Sequence, residues 1–292
     1  MMFISASRSR HTNLLPATAC FVCLLSCLSL NAELPFGSQK CVFILATGRS
    51  GSTSLMDALN QIPHYLIRGE TWRAHGNLFD AYQHLCEART SPGQEFFHFA
   101  NIRERYIDVK LAYGKLAETT KLPFFNEFSE DRILLATRAY YTVLYGHYGK
   151  DVVTGFKEIR YVCGELYFNQ TRCGEHFQKF VRFLRGMCHD VKFLFNTRLS
   201  ASLESNVKRF QMFNNATFAA DFTHLLNETH TLYDNYAMQH SDHAFRVYME
   251  DMFNIKRNAT LARNLLQFLG EDTTIPIRFN RMPGWQPSYP TP

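Results

Sequence analysis

The segment TGRSGST, from Thr47 to Thr53, combines residue types that bind an oxyanion such as a phosphate or a sulfate. Its two glycines let backbone N–H groups approach an anion closely. Arg49 adds a positive charge, and the hydroxyl groups of Ser52, Thr53 and Ser54 add hydrogen-bond donors. The segment therefore predicts a phosphate- or sulfate-binding loop, with a turn that binds no ligand as the plainer alternative.

This loop lacks the lysine that defines a nucleotide-hydrolysing P-loop. The motif GxxxxGK[ST] requires a lysine beside the final serine or threonine, and the segment has none. That lysine reaches the phosphate that ATP- and GTP-hydrolysing enzymes transfer. The loop therefore favours an anionic donor other than ATP or GTP.

Three further charged residues follow segments that have the composition of β-strands. They are Glu70 after Tyr65 to Ile67, Lys157 after Asp151 to Phe156, and Arg198 after Val191 to Phe195. A glutamate suits a general base, a lysine neutralises charge on a leaving group, and the arginine fork binds a phosphate. Glu158 is the alternative base. Ion pairs with neighbouring charged residues are the structural alternative for Glu70 and Lys157.

Two aromatic residues near Glu70 are weaker candidates. Trp72 is expected to stack on a sugar ring or on adenine, or else to be a buried core residue. His75 is the histidine nearest to Glu70 in the sequence, and a core or surface position is favoured over catalysis for it.

The elements that would position these residues alternate between strand and helix patterns. Strands are predicted at the three segments above and at Cys41 to Ala46, directly before the loop. Helices are predicted within 76–145 and at Thr53 to Ile62, Phe177 to Arg185, Ser200 to Phe210 and Leu261 to Leu269. This alternation predicts an α/β fold, with a P-loop-type parallel β-sheet flanked by helices on both faces.

Residues 1–40 have the pattern of a targeting segment ahead of a single domain at residues 41–292. Arg8 and Arg10 precede an uncharged apolar run from Leu14 to Leu30, whose length lies between that of a signal peptide and that of a membrane span. An uncleaved type II signal anchor is favoured, and a cleaved, secreted form is the alternative. Both place the domain in the secretory lumen.

Glycosylation motifs and cysteines agree with a lumenal location. Four sequons begin at Asn169, Asn215, Asn227 and Asn258. Five cysteines follow residue 40, so at least one is free or paired with another chain, and Cys163 with Cys173 is the first disulfide expected.

Composition and spacing argue against two kinds of partner. The net charge of +5 is small and scattered, which does not indicate nucleic-acid binding. No cysteine pair or histidine cluster has the spacing of metal ligands, so no metal site is predicted.

The loop resembles the 5′-phosphosulfate loop of the sulfotransferase family, which reads [K/R]-S-G-[S/T]-[S/T] after the first strand. Two later segments extend the resemblance. Asn196-Thr197-Arg198 closes a strand as the family's 3′-phosphate motif does, although the serine that should follow is Ser205, one residue early, with Ser202 as its rival. The segment Arg246 to Met252, followed by Phe268-Leu269-Gly270, is similar to the structural "RYEDL … FLG" segment of the family.

The resemblance implies a lumenal enzyme that uses 3′-phosphoadenylyl sulfate (PAPS) as its donor and a glycan as its acceptor. The residues that would hold the donor are Arg49, Ser50, Gly51, Ser52, Thr53, Ser54, Arg198 and Ser205. Carbohydrate sulfotransferases similar to this chain carry a catalytic glutamate near the position of Glu70, and the strand before Lys157 corresponds to one that often carries a catalytic lysine or histidine. A Golgi membrane location follows from the same resemblance.

Three other classes of protein share parts of this pattern. A P-loop kinase would need the loop lysine and a carboxylate for magnesium. A catalytically inactive glycan-binding relative would keep the fold without needing Arg49, Glu70 and Arg198. A glycosyltransferase would share the anchor and the sequons but would usually need an Asp-x-Asp motif, which the sequence lacks.

Overall fold

The computed structural model describes residues 39–90, 129–146, 148–149, 151–164, 172–199 and 216–281, all within one unit, Phe36–Pro292. Its strands are β1 (Lys40–Ala46), β2 (Tyr65–Arg68), β3 (Val153–Glu158), β4 (Asp190–Thr197) and β5 (Ala244–Tyr248). Its helices are α1 (Ser52–Leu59), α2 (Ala74–Thr90), α3 (Glu130–Tyr145), α4 (Cys173–Arg185), α5 (Ala216–Gln239), α6 (Met249–Met252) and α7 (Asn258–Leu269).

The five strands form one parallel sheet in the order β2-β3-β1-β4-β5. The predicted α/β fold is confirmed, and β1, the loop and α1 follow one another as the sequence indicates. The predicted end of β3 at Phe156 is wrong, because the strand pairs with β1 as far as Glu158. Lys157 and Glu158 therefore belong to the strand instead of following it.

Helices cover both faces of the sheet, as the continuous apolar run of β1 requires. Alternate residues of β1 point to opposite faces: Cys41, Phe43 and Leu45 pack with residues of α2, α3, α4 and α5. Val42, Ile44 and Ala46 pack with residues of α1, α6 and α7. Both faces of the sheet are therefore covered by apolar packing.

Gly155 allows β3 to lie against β1 at its centre. A Cβ atom placed on Gly155 would come within 1.8 Å of the backbone oxygen of Val42. No side chain fits at that distance, so glycine is required at this position by the spacing of the two strands.

Two disulfides lie within the domain. Cys163–Cys173 is the pair expected from the sequence, and it is confirmed. Cys41–Cys188 links the beginning of β1 to the residues before β4 across 147 positions of sequence. Cys86 belongs to neither disulfide, which agrees with the odd number of cysteines after residue 40.

Within the described residues, no helix combines the length and the apolar character needed to cross a membrane. The predicted anchor at Leu14 to Leu30 lies outside the described residues, as do the predicted helix at Ser200 to Phe210 and the sequons at Asn169 and Asn215.

Candidate active site

The loop between β1 and α1 has the backbone of an anion-binding turn. Arg49 and Gly51 both adopt positive φ angles, +63° and +74°, and this reverses the chain around Ser50. A Cβ on Gly51 would lie 2.9 Å from Cε of Met252, so the position favours glycine for space as well as for conformation. Alternating left- and right-handed residues turn successive N–H groups toward one point.

The amino end of α1 completes this turn. Gly51 is the N-cap of the helix, no side chain caps it, and no acidic residue lies in the first turn. The first N–H groups of α1 therefore have no partner within the helix and carry its positive dipole end. Thr53 and Arg49 are exposed here, whereas Ser52 and Ser54 are buried. This end of α1 has the donors that an anionic group requires.

Ser50 and Asn196 attach the loop to β4. The Ser50 hydroxyl donates a hydrogen bond of 2.7 Å to Oδ1 of Asn196, and the N–H of Thr47 donates to the Asn196 backbone oxygen at 3.0 Å. Both Ser50 and Asn196 are fully buried. Ser50 therefore fixes the loop through its side chain.

Glu70 and Lys157 form a close ion pair at the carboxyl ends of β2 and β3. Nζ of Lys157 lies 2.5 Å from Oε1 of Glu70. Only 5% of the lysine side chain is exposed, against 29% of the glutamate side chain. The structure thus brings together the two residues that the sequence suggested for catalysis. The glutamate is the member of the pair that solvent, and hence an acceptor, can reach.

Glu158, the alternative base, is fully buried and bound on all sides. Its Oε2 accepts the N–H groups of Thr71 at 3.2 Å and Arg73 at 3.4 Å. Its Oε1 accepts the N–H of Ile159 and Nη1 of Arg160, each at 2.9 Å. These contacts hold the segment after Glu70 in place. Because Glu158 is fully buried, whereas 29% of the Glu70 side chain is exposed, Glu158 is the worse placed of the two to receive a proton from a substrate.

Arg160 belongs to the same cluster and is not among the residues that the sequence suggested. Its Nη1 donates to Oε2 of Glu70 at 3.1 Å as well as to Glu158. Burial alone would lower the pKa of Arg160, but the carboxylates of Glu158 and Glu70 outweigh it and raise that pKa. The spacing of Glu158 and Arg160, with Ile159 between them, was a usable signal, since residues two apart in an extended segment lie on one side.

Trp72 is strongly exposed, with 79% of its surface accessible, so the prediction of a buried core residue is wrong. The guanidinium carbon of Arg160 lies 4.5 Å from the centre of its ring.

His75 is buried beneath this cluster. Its ring stacks on Phe156 with the ring centres 4.1 Å apart, and Nδ1 lies 3.2 Å from Oγ1 of Thr71. Burial lowers the pKa of His75 to about 3, so the ring is neutral near neutral pH. The expected core position of His75 is confirmed.

We expect His75→Phe to make the folded protein less sensitive to acid. In the unfolded chain the imidazole gains a proton as the pH falls through about 6.5, while in the folded chain its pKa is about 3. The contribution of His75 to the free energy of unfolding is therefore fully present above about pH 6.5. At lower pH the free energy of unfolding decreases because of this group, by up to about 1.4 kcal/mol per pH unit. Urea unfolding at pH 7 and at pH 4.5 should show a smaller decrease in the free energy of unfolding for the variant than for the wild type. His84→Gln, at an exposed position, is the control, and equal slopes in both variants would contradict the assignment.

Arg198 follows β4 on the other side of the loop. Its Nε lies 3.5 Å from Oε1 of Glu250, and Oε2 of that glutamate accepts the N–H of Leu199 at 2.9 Å. Glu250 therefore holds the chain at Arg198 close to the start of α6. Ser205 and its rival Ser202 lie outside the described residues.

Arg246, from the segment similar to the family's structural motif, binds β4 from the neighbouring strand. It donates to the backbone oxygen of Phe195 at 2.9 Å and to Oγ1 of Thr197 at 3.0 Å. Asp234 of α5 accepts from its Nε at 2.6 Å. These contacts hold the end of β4, and hence the chain that leads to Arg198.

The strand order places these groups in a row along one edge of the sheet. Glu70 follows β2, Lys157 is the penultimate residue of β3, the loop follows β1 and Arg198 follows β4. Neighbouring strands are about 4.8 Å apart, so a ligand that contacts both Arg198 and Lys157 must pass over the loop. The edge therefore suits an elongated anionic ligand whose reactive end reaches Lys157.

Comparison with solved structures finds a similarity to the sulfotransferase domain of the olefin synthase from Synechococcus PCC 7002. The chains are 16% identical, the alignment covers 80% of this chain and 74% of the other, and the TM-score is 0.42. No protein-family model and no curated protein matches the chain. A likeness at this score carries no functional argument, so function has to follow from the chemistry of the site.

Proposed function

We propose that this chain is a sulfotransferase that moves a sulfuryl group from PAPS to a hydroxyl or amine of a glycan. The observation that carries the proposal is the Glu70–Lys157 pair, which stands at the same sheet edge as the anion-binding loop. A base and a buried cation beside a site for an anionic donor are the parts that in-line group transfer requires.

The donor spans the loop in this proposal. The 5′-phosphosulfate lies at the amino end of α1, where Arg49, the hydroxyls of Ser52 to Ser54 and the backbone N–H groups bind its oxygens. Arg198 binds the 3′-phosphate beyond β4, together with Ser205. Oγ1 of Thr47, which is buried and has no hydrogen-bond partner among the described residues, supports a polar ligand at this turn.

The reaction then divides between Glu70 and Lys157. Glu70 takes the proton of the acceptor hydroxyl while the oxygen attacks sulfur from the side opposite the phosphate. The new bond from the acceptor oxygen to sulfur forms as the bond from sulfur to the phosphate oxygen breaks. Lys157 neutralises the negative charge that develops on that phosphate oxygen, and PAP leaves with the electron pair. Arg160 keeps Glu70 in position through its contact with Oε2.

A magnesium-dependent kinase is disfavoured by the partners of the carboxylates. Glu70 and Glu158 at this edge are bound by Lys157 and Arg160, and Glu250 lies against Arg198. A magnesium ion needs oxygen ligands that are not already neutralised by cations. The intact pair of base and cation likewise favours an enzyme over an inactive glycan-binding relative.

We place the enzyme in the Golgi lumen, held by the segment from Leu14 to Leu30 as a type II anchor, with secretion as the alternative. The disulfides Cys41–Cys188 and Cys163–Cys173 support an oxidising compartment. Asn227, one of the four sequon asparagines, is exposed on α5 and so accessible to a glycan.

The test is binding of PAP, the desulfated donor product, to the chain expressed in a secretory host. Calorimetry should show PAP binding far tighter than ATP binding. Arg49→Ala and Arg198→Ala should each weaken it about 10-fold or more, because each removes a charge-assisted contact to a phosphate. Arg132→Ala, an exposed arginine on the first turn of α3, should bind PAP as the wild type does. Absence of PAP binding by folded protein, or equal affinity for ATP, would overturn the proposal.

A further inference from the structure

We propose that Trp72 is the platform on which a ring of an acidic carbohydrate acceptor stacks; this rests on the proposed function. Trp72 lies two residues after Glu70, and 79% of its surface is exposed. An indole so exposed gains little from burial, and its ring, close in sequence to the proposed base, is accessible to a ligand.

The backbone at Trp72 is held in a conformation that tryptophan disfavours. Its φ is +50°, and that of Arg73 is +75°, both in the left-handed region that favours glycine. The N–H groups of Thr71 and Arg73, on either side, donate to the buried carboxylate of Glu158. These hydrogen bonds therefore hold the turn in a strained conformation, and the indole of Trp72 is exposed to solvent there. Such backbone strain is typical of functional positions.

One face of the indole is fixed relative to Glu70. Arg160 lies over the ring at 4.5 Å and also donates to Oε2 of Glu70 at 3.1 Å. The same guanidinium thus couples the ring to the base. A ring stacked on the exposed part of the indole would have its hydroxyl groups next to the carboxylate that takes their proton.

The position of Trp72 in the sheet argues for the acceptor and against the adenine of the donor. Trp72 follows β2, and Arg198 follows β4, which are separated by β3 and β1. Three strand spacings amount to about 14 Å. Since the 3′-phosphate is adjacent to the adenosine, the nucleotide end of the donor lies on the far side of the loop from Trp72.

The surroundings of Trp72 favour a sugar over a phenol. A small phenol needs an enclosed apolar pocket, whereas this indole is open to solvent. A sugar ring has a C–H face for the indole and a hydroxyl rim for polar neighbours.

The charges near Trp72 favour an acidic sugar. Lys157 and Arg160 pair with Glu70 and Glu158. Arg68 and Arg73 belong to the same short segment as Glu70 and Trp72, so these six charged residues together carry two positive charges in excess. A ring that bears a carboxylate or a sulfate would match that excess.

Fluorescence can test the contact directly, because the chain has only two tryptophans, Trp72 and Trp285. In Trp285→Phe, indole emission reports on Trp72 alone. With PAP bound, we expect an unsulfated hexuronate–hexosamine tetrasaccharide to change the emission at lower concentration than neutral maltotetraose. A phenol, N-acetyltyrosine amide, should leave it unchanged. No response to any of the three, or a response to the phenol first, would overturn the proposal, and a response to PAP alone would assign the ring to adenine.

Trp72→Gly separates binding from stability. Glycine accepts the positive φ, so we expect the variant to melt no lower than the wild type and to bind PAP equally well. Its KM for the acidic acceptor should rise about 10-fold or more, as expected for the loss of one stacking contact, and Trp72→Phe should recover part of that loss.

A Trp72→Gly variant that melts at a much lower temperature, or one that keeps the wild-type KM, contradicts the proposal that the acceptor stacks on Trp72. If wild-type protein fails to bind PAP, the proposed function itself fails; if PAP binds and only these Trp72 results fail, the platform alone is wrong.

Discussion

Glu70→Gln should reduce sulfuryl transfer about 1000-fold, because a positioned general base contributes about 10²–10⁴ to a rate. The amide oxygen of glutamine can still accept the hydrogen bond from Lys157, so the geometry of the pair at 2.5 Å is largely retained. The variant loses the ability to take the proton of the acceptor hydroxyl, and it also loses the hydrogen bond that Oε2 accepts from Arg160. The measurement is transfer of radiolabelled sulfate from PAPS to a pool of unsulfated glycans, beside calorimetric binding of PAP.

The control for this variant is Glu87→Gln, which alters an exposed glutamate of α2 and should change neither rate nor binding. A Glu70→Gln enzyme with wild-type turnover would show that another group removes the proton. Loss of PAP binding in Glu70→Gln would instead indicate that the glutamate serves the donor site or the fold.

Gly155→Ala should prevent folding of the domain. The new Cβ would overlap the backbone oxygen of Val42 at 1.8 Å, and neither atom belongs to a side chain that can rotate away. The central strands β1 and β3 would have to separate, at a cost we place above about 4 kcal/mol, a large share of the stability of an ordinary domain. The measurements are the yield of secreted protein and its thermal unfolding by circular dichroism.

Gly69→Ala is the matched control for Gly155→Ala. Gly69 lies beside β2, and a Cβ there meets no atom within 4 Å. We expect that variant to be secreted and to unfold at a temperature close to that of the wild type. If Gly155→Ala is secreted and unfolds as the wild type does, β1 and β3 must be further apart than a Cβ–oxygen distance of 1.8 Å implies.

The first strand, the loop and the first helix could be predicted because their signals are local. The apolar run Cys41 to Ala46 needs burial on both faces, and the glycines and hydroxyl residues that follow end it abruptly. Glu70 and Lys157 could be predicted individually from their positions after strand-like segments. Their contact could not be deduced, because they lie 87 residues apart in the sequence and meet only through the pairing of β2 with β3.

The strand β5 and the residue Arg160 escaped prediction for different physical reasons. β5 is an edge strand, partly exposed, and Arg246 interrupts its apolar residues, so its pattern lacks the continuous run of a central strand. Arg160 lies in a segment without regular structure, and its importance comes from contacts with Glu70, 90 residues away, and with the buried Glu158. The spacing of Arg160 from Glu158 is visible in the sequence, but its contact with Glu70 depends on the tertiary fold.

The disulfide between Cys41 and Cys188 also determines how the chain responds to cleavage. It closes a covalent ring of sequence that contains all of β2 and β3. A peptide bond cut anywhere between the two cysteines leaves both fragments attached, with β1 still paired to β4. A nicked molecule would therefore keep its mass on a denaturing gel without reductant and separate into two pieces only when a thiol is added.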